Sequence, residues 1–247
     1  MISHIYHTGF TTNLEYFTAN QNKKPKFTIL YTHGFCSDPW GRKPEEVKKW
    51  CAQNGIDFVR YELAGHGSDS ARFEETDINI WKAQILELRD EVVAGDIIVV
   101  GSSLGGWLSL LAAINRKERV KGVLGLAAAP DFTADYEKYA TPEIKKAISE
   151  KGKFSYEGSG MTFTITKKLL DSGNENLILD KPSIPVFCPV VLIQGMKDES
   201  VPFQKAVQII SLLESQNAVL KLLKTATHRL NEDQDVKEIL SALNFFL

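Results

Sequence analysis

Only three cysteines, Cys36, Cys51 and Cys188, occur in 247 residues, with no CxxC pair and no metal-ligand spacing, which argues against a disulfide framework. Such thiols suit a reducing compartment, and Cys36 reads as a small buried hydrophobe. No apolar run approaches the roughly 18 residues of a membrane span. Met1 to His7 lack a basic region, a long apolar stretch and any arginine, so no export or transit signal is read and a soluble, cytoplasmic chain is expected. Neither charge sign prevails: 29 basic and 31 acidic residues give a net charge of −2, with no basic stripe for nucleic acid and no acidic tail. Repeats and low-complexity tracts are missing, and no cofactor or metal is expected.

What is present is 43% apolar content in a length suited to one α/β domain with a large core. An N-terminal hairpin, Ile2 to His7 and Leu14 to Thr18, precedes strand-like runs at Phe27–Tyr31, Ile56–Tyr61, Ile97–Val100, Val120–Leu126, Val190–Ile193 and Val219–Leu223. Helical patterns at Pro44–Gln53, Ile78–Val93, Leu104–Ile114, Phe203–Leu213 and Glu232–Phe246 serve as crossovers. That alternation requires a mostly parallel sheet with helices on both faces.

Gly101-Ser102-Ser103-Leu104-Gly105 joins the run Ile97 to Val100 directly to the helical run Trp107 to Ile114. A serine framed by glycines between a strand and a helix is a nucleophile elbow, a tight turn that lifts the hydroxyl above the carboxyl end of a parallel sheet. Ser103 alone has glycine two residues away on both sides. In this arrangement an acid and then a histidine follow, each on a loop after a later strand. Four of the five histidines, His4, His7, His33 and His66, lie upstream, so His228, after the run Ala218 to Leu223, is the candidate base. Asp198 follows Pro189–Ile193 and the turn Gln194-Gly195-Met196-Lys197, where a carboxylate can accept the imidazole Nδ1–H. Adjacent Glu199 could substitute along a different backbone path, and Asp131, one strand earlier, is the runner-up acid.

His33-Gly34-Phe35 ends the strand at Tyr31, and a loop here supplies one oxyanion donor while the residue after the nucleophile supplies the other. The backbone N–H groups of Phe35 and Leu104 are assigned to that role. The 55 residues from Asp131 to Pro185 are too long for a connection and read as a cap inserted over the serine, with helical pieces near Pro142–Glu150 and Phe163–Leu170. The organisation is thus 1–130 and 186–247 as core and 131–185 as cap. His33, Tyr136, Tyr139, Phe154, Tyr156, Met161 and Phe163 are candidate pocket residues, and the cap lysines read as a solvated face.

These features resemble the α/β-hydrolase fold over nearly the whole chain. Glu62-Leu63-Ala64-Gly65-His66-Gly67-Ser68 is similar to the Asp-x-x-Gly-His-Gly-x-Ser segment that many members carry after the fourth strand, with Glu62 in place of the Asp. His66 is read there as holding the loop. Gly101 to Leu108, Pro185-Val186-x-Cys188-Pro189, Gly195-Met196-Lys197-Asp198, Val201-Pro202 and His228-Arg229-Leu230 resemble the group formed by the mitochondrial palmitoyl-protein thioesterase and its bacterial relatives. Ser103, Asp198 and His228 fall on that group's triad positions, whereas His33-Gly34-Phe35-Cys36-Ser37 departs from its oxyanion loop. The resemblance implies cleavage of S-acyl cysteine and acyl glucuronide esters. The expected activity is a serine hydrolase acting on a small acyl ester or thioester, or on an S-acylated protein. Peptidase or carbon–carbon bond chemistry on the same triad, and a non-catalytic ligand-binding member, stay open.

Overall fold

The computed structural model describes residues 2–20, 25–158 and 161–247. In chain order the strands are β1 (Ile2–Ile5), β2 (Thr11–Phe17), β3 (Thr28–Thr32), β4 (Asp57–Tyr61), β5 (Ile97–Ser102), β6 (Val120–Leu126), β7 (Lys153–Gly158), β8 (Met161–Thr166), β9 (Val190–Gly195) and β10 (Ala218–Leu223). The helices are α1 (Arg42–Asn54), α2 (Ile78–Glu87), α3 (Leu104–Asn115), α4 (Phe132–Tyr139), α5 (Pro142–Lys151), α6 (Lys167–Glu175), α7 (Phe203–Leu212) and α8 (Asp233–Leu243). Eight strands form one sheet in the order β1-β2-β4-β3-β5-β6-β9-β10, parallel from β4 to β10, with β1 and β2 antiparallel at one edge.

The parallel strands read as continuous apolar runs because both of their faces are covered. Leu30, Val59, Val99, Val123 and Leu192 point to one side and pack with Trp81 of α2, Trp107 of α3 and Ile209 of α7. Ile29, Phe58, Ile98, Leu124 and Val191, each one residue away, point to the other side and pack with Val47 and Trp50 of α1 and Ile239 and Leu243 of α8. Helix starts follow local chemistry: Asp77 accepts from the Ile80 N–H at 2.8 Å, Thr166 from the Leu169 N–H at 3.0 Å, and Glu232 with Asp235 forms a reciprocal capping box.

Two expectations need correction. The single helix read over Ile78–Val93 is α-helical only to Glu87 and closes through a π-helical turn at Leu88–Val92. The helical piece near Phe163–Leu170 is instead β8 followed by α6. Met161-Thr-Phe-Thr-Ile-Thr166 alternates β-branched and apolar residues, pairs antiparallel with β7 and turns helical only at the Thr166 cap. The piece read near Pro142–Glu150 is α5, started by Thr141 and Pro142. Between β6 and β9, therefore, the insert runs α4, α5, the β7–β8 hairpin and α6.

Candidate active site

Ser103 sits between the last residue of β5 and the first of α3 with φ 55° and ψ −116°. A non-glycine residue held there stores on the order of 1–3 kcal/mol, which the surrounding sheet and helix must sustain. The flanking glycines make the turn possible. A Cβ on Gly105 would lie 2.2 Å from the Thr32 carbonyl oxygen, and one on Gly101 would lie 2.1 Å from the Gly105 oxygen. The turn is tied down by the Ser103 N–H, which donates to the Leu126 carbonyl at 2.9 Å, and by the Ser103 carbonyl, which accepts from Gly106 and Ala129 at 2.9 and 3.1 Å.

His228, on the loop after β10, places Nε2 3.2 Å from Ser103 Oγ and Nδ1 2.8 Å from Asp198 Oδ2. The Asp198 side chain is fully enclosed, on the loop after β9. Its Oδ1 accepts from the Ser200 and Val201 N–H groups at 2.9 and 2.8 Å, and Oδ2 accepts a second hydrogen bond at 2.8 Å from Gln194 Nε2. Burial pushes the carboxyl pKa up, but the His228 hydrogen bond and charge, the Val201 N–H and the Gln194 amide outweigh it. The net shift is below the ordinary Asp value. The structure thus brings Ser103, His228 and Asp198 into one hydrogen-bonded line. It does not bring Asp131 there: that carboxylate accepts from the Ile178 and Leu179 N–H groups at 3.0 and 2.7 Å, fastening the returning end of the insert. Glu199 is exposed next to Asp198.

Gln194 was not among the residues singled out in the sequence, although a polar residue ending Val190-Val191-Leu192-Ile193 was visible. Its amide is fully buried, and Nε2 faces three acceptors: the Gly195 and Val201 carbonyls at 3.3 and 3.0 Å, and Asp198. Acceptors on that side fix the nitrogen's orientation. Gln194 Oε1 is then left buried without a hydrogen-bond partner among the described residues, a cost of about 1–3 kcal/mol.

Gly34 lies against the elbow, where an added Cβ would sit 3.2 Å from Ser103 Cβ and 3.9 Å from Oγ. The next N–H, that of Phe35, donates to nothing among the described residues, and the Leu104 N–H opens α3, where no intrahelical acceptor exists. Two buried histidines shape this loop. His66 Nε2 accepts from the Cys36 N–H at 3.1 Å and Nδ1 donates to the Ala64 carbonyl at 3.1 Å. His33 Nε2 accepts from the Leu63 N–H at 2.9 Å and Nδ1 donates to the Gly34 carbonyl at 2.8 Å. Burial lowers the pKa of His33 to about 3 and that of His66 to about 4, so both are neutral at pH 7. His33 borders the cavity with both nitrogens spent, so it acts on the loop.

A cavity of about 1140 Å³ opens over Ser103. Its wall beneath the insert is aromatic: Tyr136, Phe154, Tyr156 and Phe163 all line it, with Tyr156 stacked on Phe163 at 5.2 Å and Phe163 on Phe35 at 6.3 Å. The hydroxyls of Tyr136 and Tyr156 hydrogen-bond each other. Tyr139 stands at the rim, largely exposed. Met161 opens β8, but its side chain lies outside the described residues. The opposite side, around His228, is polar, with Asp38, Lys43, Arg229 and Asn231. Burial lowers the Lys43 pKa to about 8, and its Nζ donates to the Arg229 carbonyl beside His228.

Among known proteins, residues 29–242 match the model of the alpha/beta hydrolase family. The mitochondrial palmitoyl-protein thioesterase ABHD10 of rat is 32% identical over 220 residues, covering 87% of this chain and 73% of that protein. The human counterpart is 32% identical over 215 residues, covering 85% and 69%. In three dimensions, alpha/beta hydrolase domain-containing protein 10 from mouse superposes with a TM-score of 0.88 at 30% identity, covering 98% of this chain and 96% of that one. A putative hydrolase from Agrobacterium vitis superposes at 0.91 and 28% identity, covering 99% and 97%.

Proposed function

The chain belongs to the alpha/beta hydrolase family, and from that premise we propose that it cleaves carboxylic ester or thioester bonds of acyl substrates through an acyl-enzyme on Ser103. Its relatives support ester hydrolysis in this broad sense, since those at 32–34% identity are named palmitoyl-protein thioesterases. The observation that carries the reading is the hydrogen-bonded line from Ser103 Oγ through His228 to Asp198, mounted on the strained turn above the sheet.

In the proposed cycle, Ser103 Oγ attacks the substrate carbonyl carbon and its proton passes to His228 Nε2. Asp198, accepting Nδ1–H, holds the ring and stabilises the imidazolium. The Phe35 and Leu104 N–H groups receive the oxyanion, a contribution of about 3–4 kcal/mol per donor. Collapse of the tetrahedral adduct breaks the bond to the alcohol or thiol, which takes the proton from Nε2. A water molecule then attacks the acyl-enzyme, gives a proton to His228 and releases the acid with Ser103 restored. No step needs a metal or an organic cofactor. The insert, residues 131–185, serves as the cap. Its aromatic wall takes the acyl group, and the polar side around His228, where the departing atom is protonated, takes the alcohol or thiol, including the cysteine of an S-acylated protein. Residence in the cytoplasm is part of the same proposal, in keeping with three free cysteines.

Incubation with a fluorophosphonate probe, followed by mass spectrometry of the labelled peptide, tests the nucleophile. Label on Ser103 that is competed by S-acyl thioesters of graded chain length supports the reading. An unlabelled protein would sink it in favour of a ligand-binding role.

A further inference from the structure

The orphaned amide of Gln194 points beyond the three residues of the proposed relay. Side chains of β9 alternate between the sheet's two faces, and Val190 and Leu192 lie on the same face as position 194. A leucine or methionine would extend that apolar row. Instead position 194 of the strand carries a fully buried amide that leaves Oε1 without a partner among the described residues, a destabilising arrangement. The compensating contact is specific: Nε2 donates at 2.8 Å to Asp198 Oδ2, the same oxygen that accepts His228 Nδ1–H.

We infer that Gln194 is a positioning residue of the active site, holding the Asp198 carboxylate in the plane in which Oδ2 meets His228. This rests on the acyl-transfer reading above. With Ser200 and Val201 N–H groups on Oδ1, and Gln194 and His228 on Oδ2, every acceptor direction of the carboxylate is filled. The carboxylate has no freedom left to rotate away from the imidazole. The two backbone donors restrain only Oδ1. Without Gln194, the oxygen that orients His228 is held by His228 alone, the group that must itself be oriented. Gln194 does not line the cavity, so its loss acts on the chemical step and not on substrate binding. It also lies on β9, a buried strand paired on both sides, a firmer mount than the loop that carries Asp198.

The test is Gln194→Met, which keeps length and volume but carries no donor and no orphan acceptor. A hydrogen bond to a charged group of this kind corresponds to about tenfold to a hundredfold in rate. The expected result is a thermal midpoint equal to or above that of the parent, kcat on a p-nitrophenyl ester lower by that factor and KM within twofold. The rate of fluorophosphonate labelling at Ser103 should fall in proportion. Gln194→His, which restores a ring N–H donor, should recover most of the loss. A folded Gln194→Met protein with kcat within threefold of the parent overturns the inference. So does a loss that only tracks a fall in thermal midpoint, because the amide would then be structural. Ser103→Ala, run beside them, separates the two levels: retained turnover there overturns the Ser103 reading itself, whereas abolished turnover with unaffected Gln194→Met overturns the positioning role alone.

Discussion

Acidification should unfold this protein through two buried histidines that lie outside the proposed relay. His33 and His66 are 1% and 4% exposed, their rings 5.1 Å apart, each accepting a backbone N–H on Nε2. Protonation would convert each acceptor into a second donor facing an N–H group. The folded-state values of about 3 and about 4 lie below the ordinary 6.5, so the unfolded chain binds more protons at mildly acidic pH. Stability from this source is fully present above pH 6.5 and is lost as pH falls through the folded values. Between pH 7 and pH 5 each histidine takes up most of one proton on unfolding, worth about 2 kcal/mol per residue. Together that is a large part of the roughly 5–15 kcal/mol that holds a domain folded. The assay is denaturant unfolding at half-unit pH intervals on the parent and on His66→Gln, whose Oε1 can still accept from Cys36. The parent's slope should approach two protons over this range and the variant's about one. Equal slopes would refute the claim that His66 is held neutral by burial, and with it the account of how the Phe35 loop is kept in place.

Three further outcomes follow from the geometry. Asp198→Asn should lower kcat about 10⁴-fold with the fold intact, because the imidazole loses its orienting acceptor; near-parent turnover of a p-nitrophenyl ester would remove Asp198 from the relay. Asp131→Asn should leave kcat within a few-fold while costing about 1–3 kcal/mol in denaturant unfolding, since its carboxylate serves the Ile178 and Leu179 N–H groups; the opposite pattern would move the acid one strand earlier. Gly105→Ala forces a Cβ into the Thr32 carbonyl and should cost about 3 kcal/mol or more, read as lost soluble yield or an early unfolding midpoint; a fold-neutral alanine would show that the turn has room to spare.

How far the chain could be read depended on whether a signal was local. The elbow was legible because two glycines framing one serine, between a β-branched run and a helical run, have few other uses, and strand-and-turn context likewise pointed to Asp198 and His228. The sheet emerged from runs that are apolar on both faces. The β7–β8 hairpin was misread in part because Phe163-Thr-Ile-Thr leads straight into Lys167-Lys-Leu-Leu, so a strand and a helix share one apolar stretch. Only pairing of Tyr156 with Phe163 across the hairpin separates them. Gln194 was missed for a different reason. A lone polar residue at a strand end is unremarkable until the three acceptors around it, contributed from positions 195, 198 and 201, are folded into view. His66 was read as a loop-holding residue, but its partner, the Cys36 N–H thirty residues away, was not visible in the spacing.

β6 hydrogen-bonds directly to β9, so the chain leaves the sheet and re-enters it at neighbouring strands, across one seam. Closing that seam costs entropy that grows only with the logarithm of the intervening length, so the body tolerates inserts of very different size there. A replacement would also have to reproduce or dispense with the ties that join 131–185 to the body, among them the Ile78 N–H to Ser172 Oγ at 3.1 Å, Asn176 to Asn79 at 2.8 Å, Lys168 to Asp77 at 3.2 Å, and the ion pairs of Lys153 with Glu74 and Lys205 with Asp135. The elbow, its acid and its base all lie outside the seam. A laboratory graft at the same two junctions should therefore exchange the aromatic wall of the cavity while Ser103, His228 and Asp198 keep their mutual geometry.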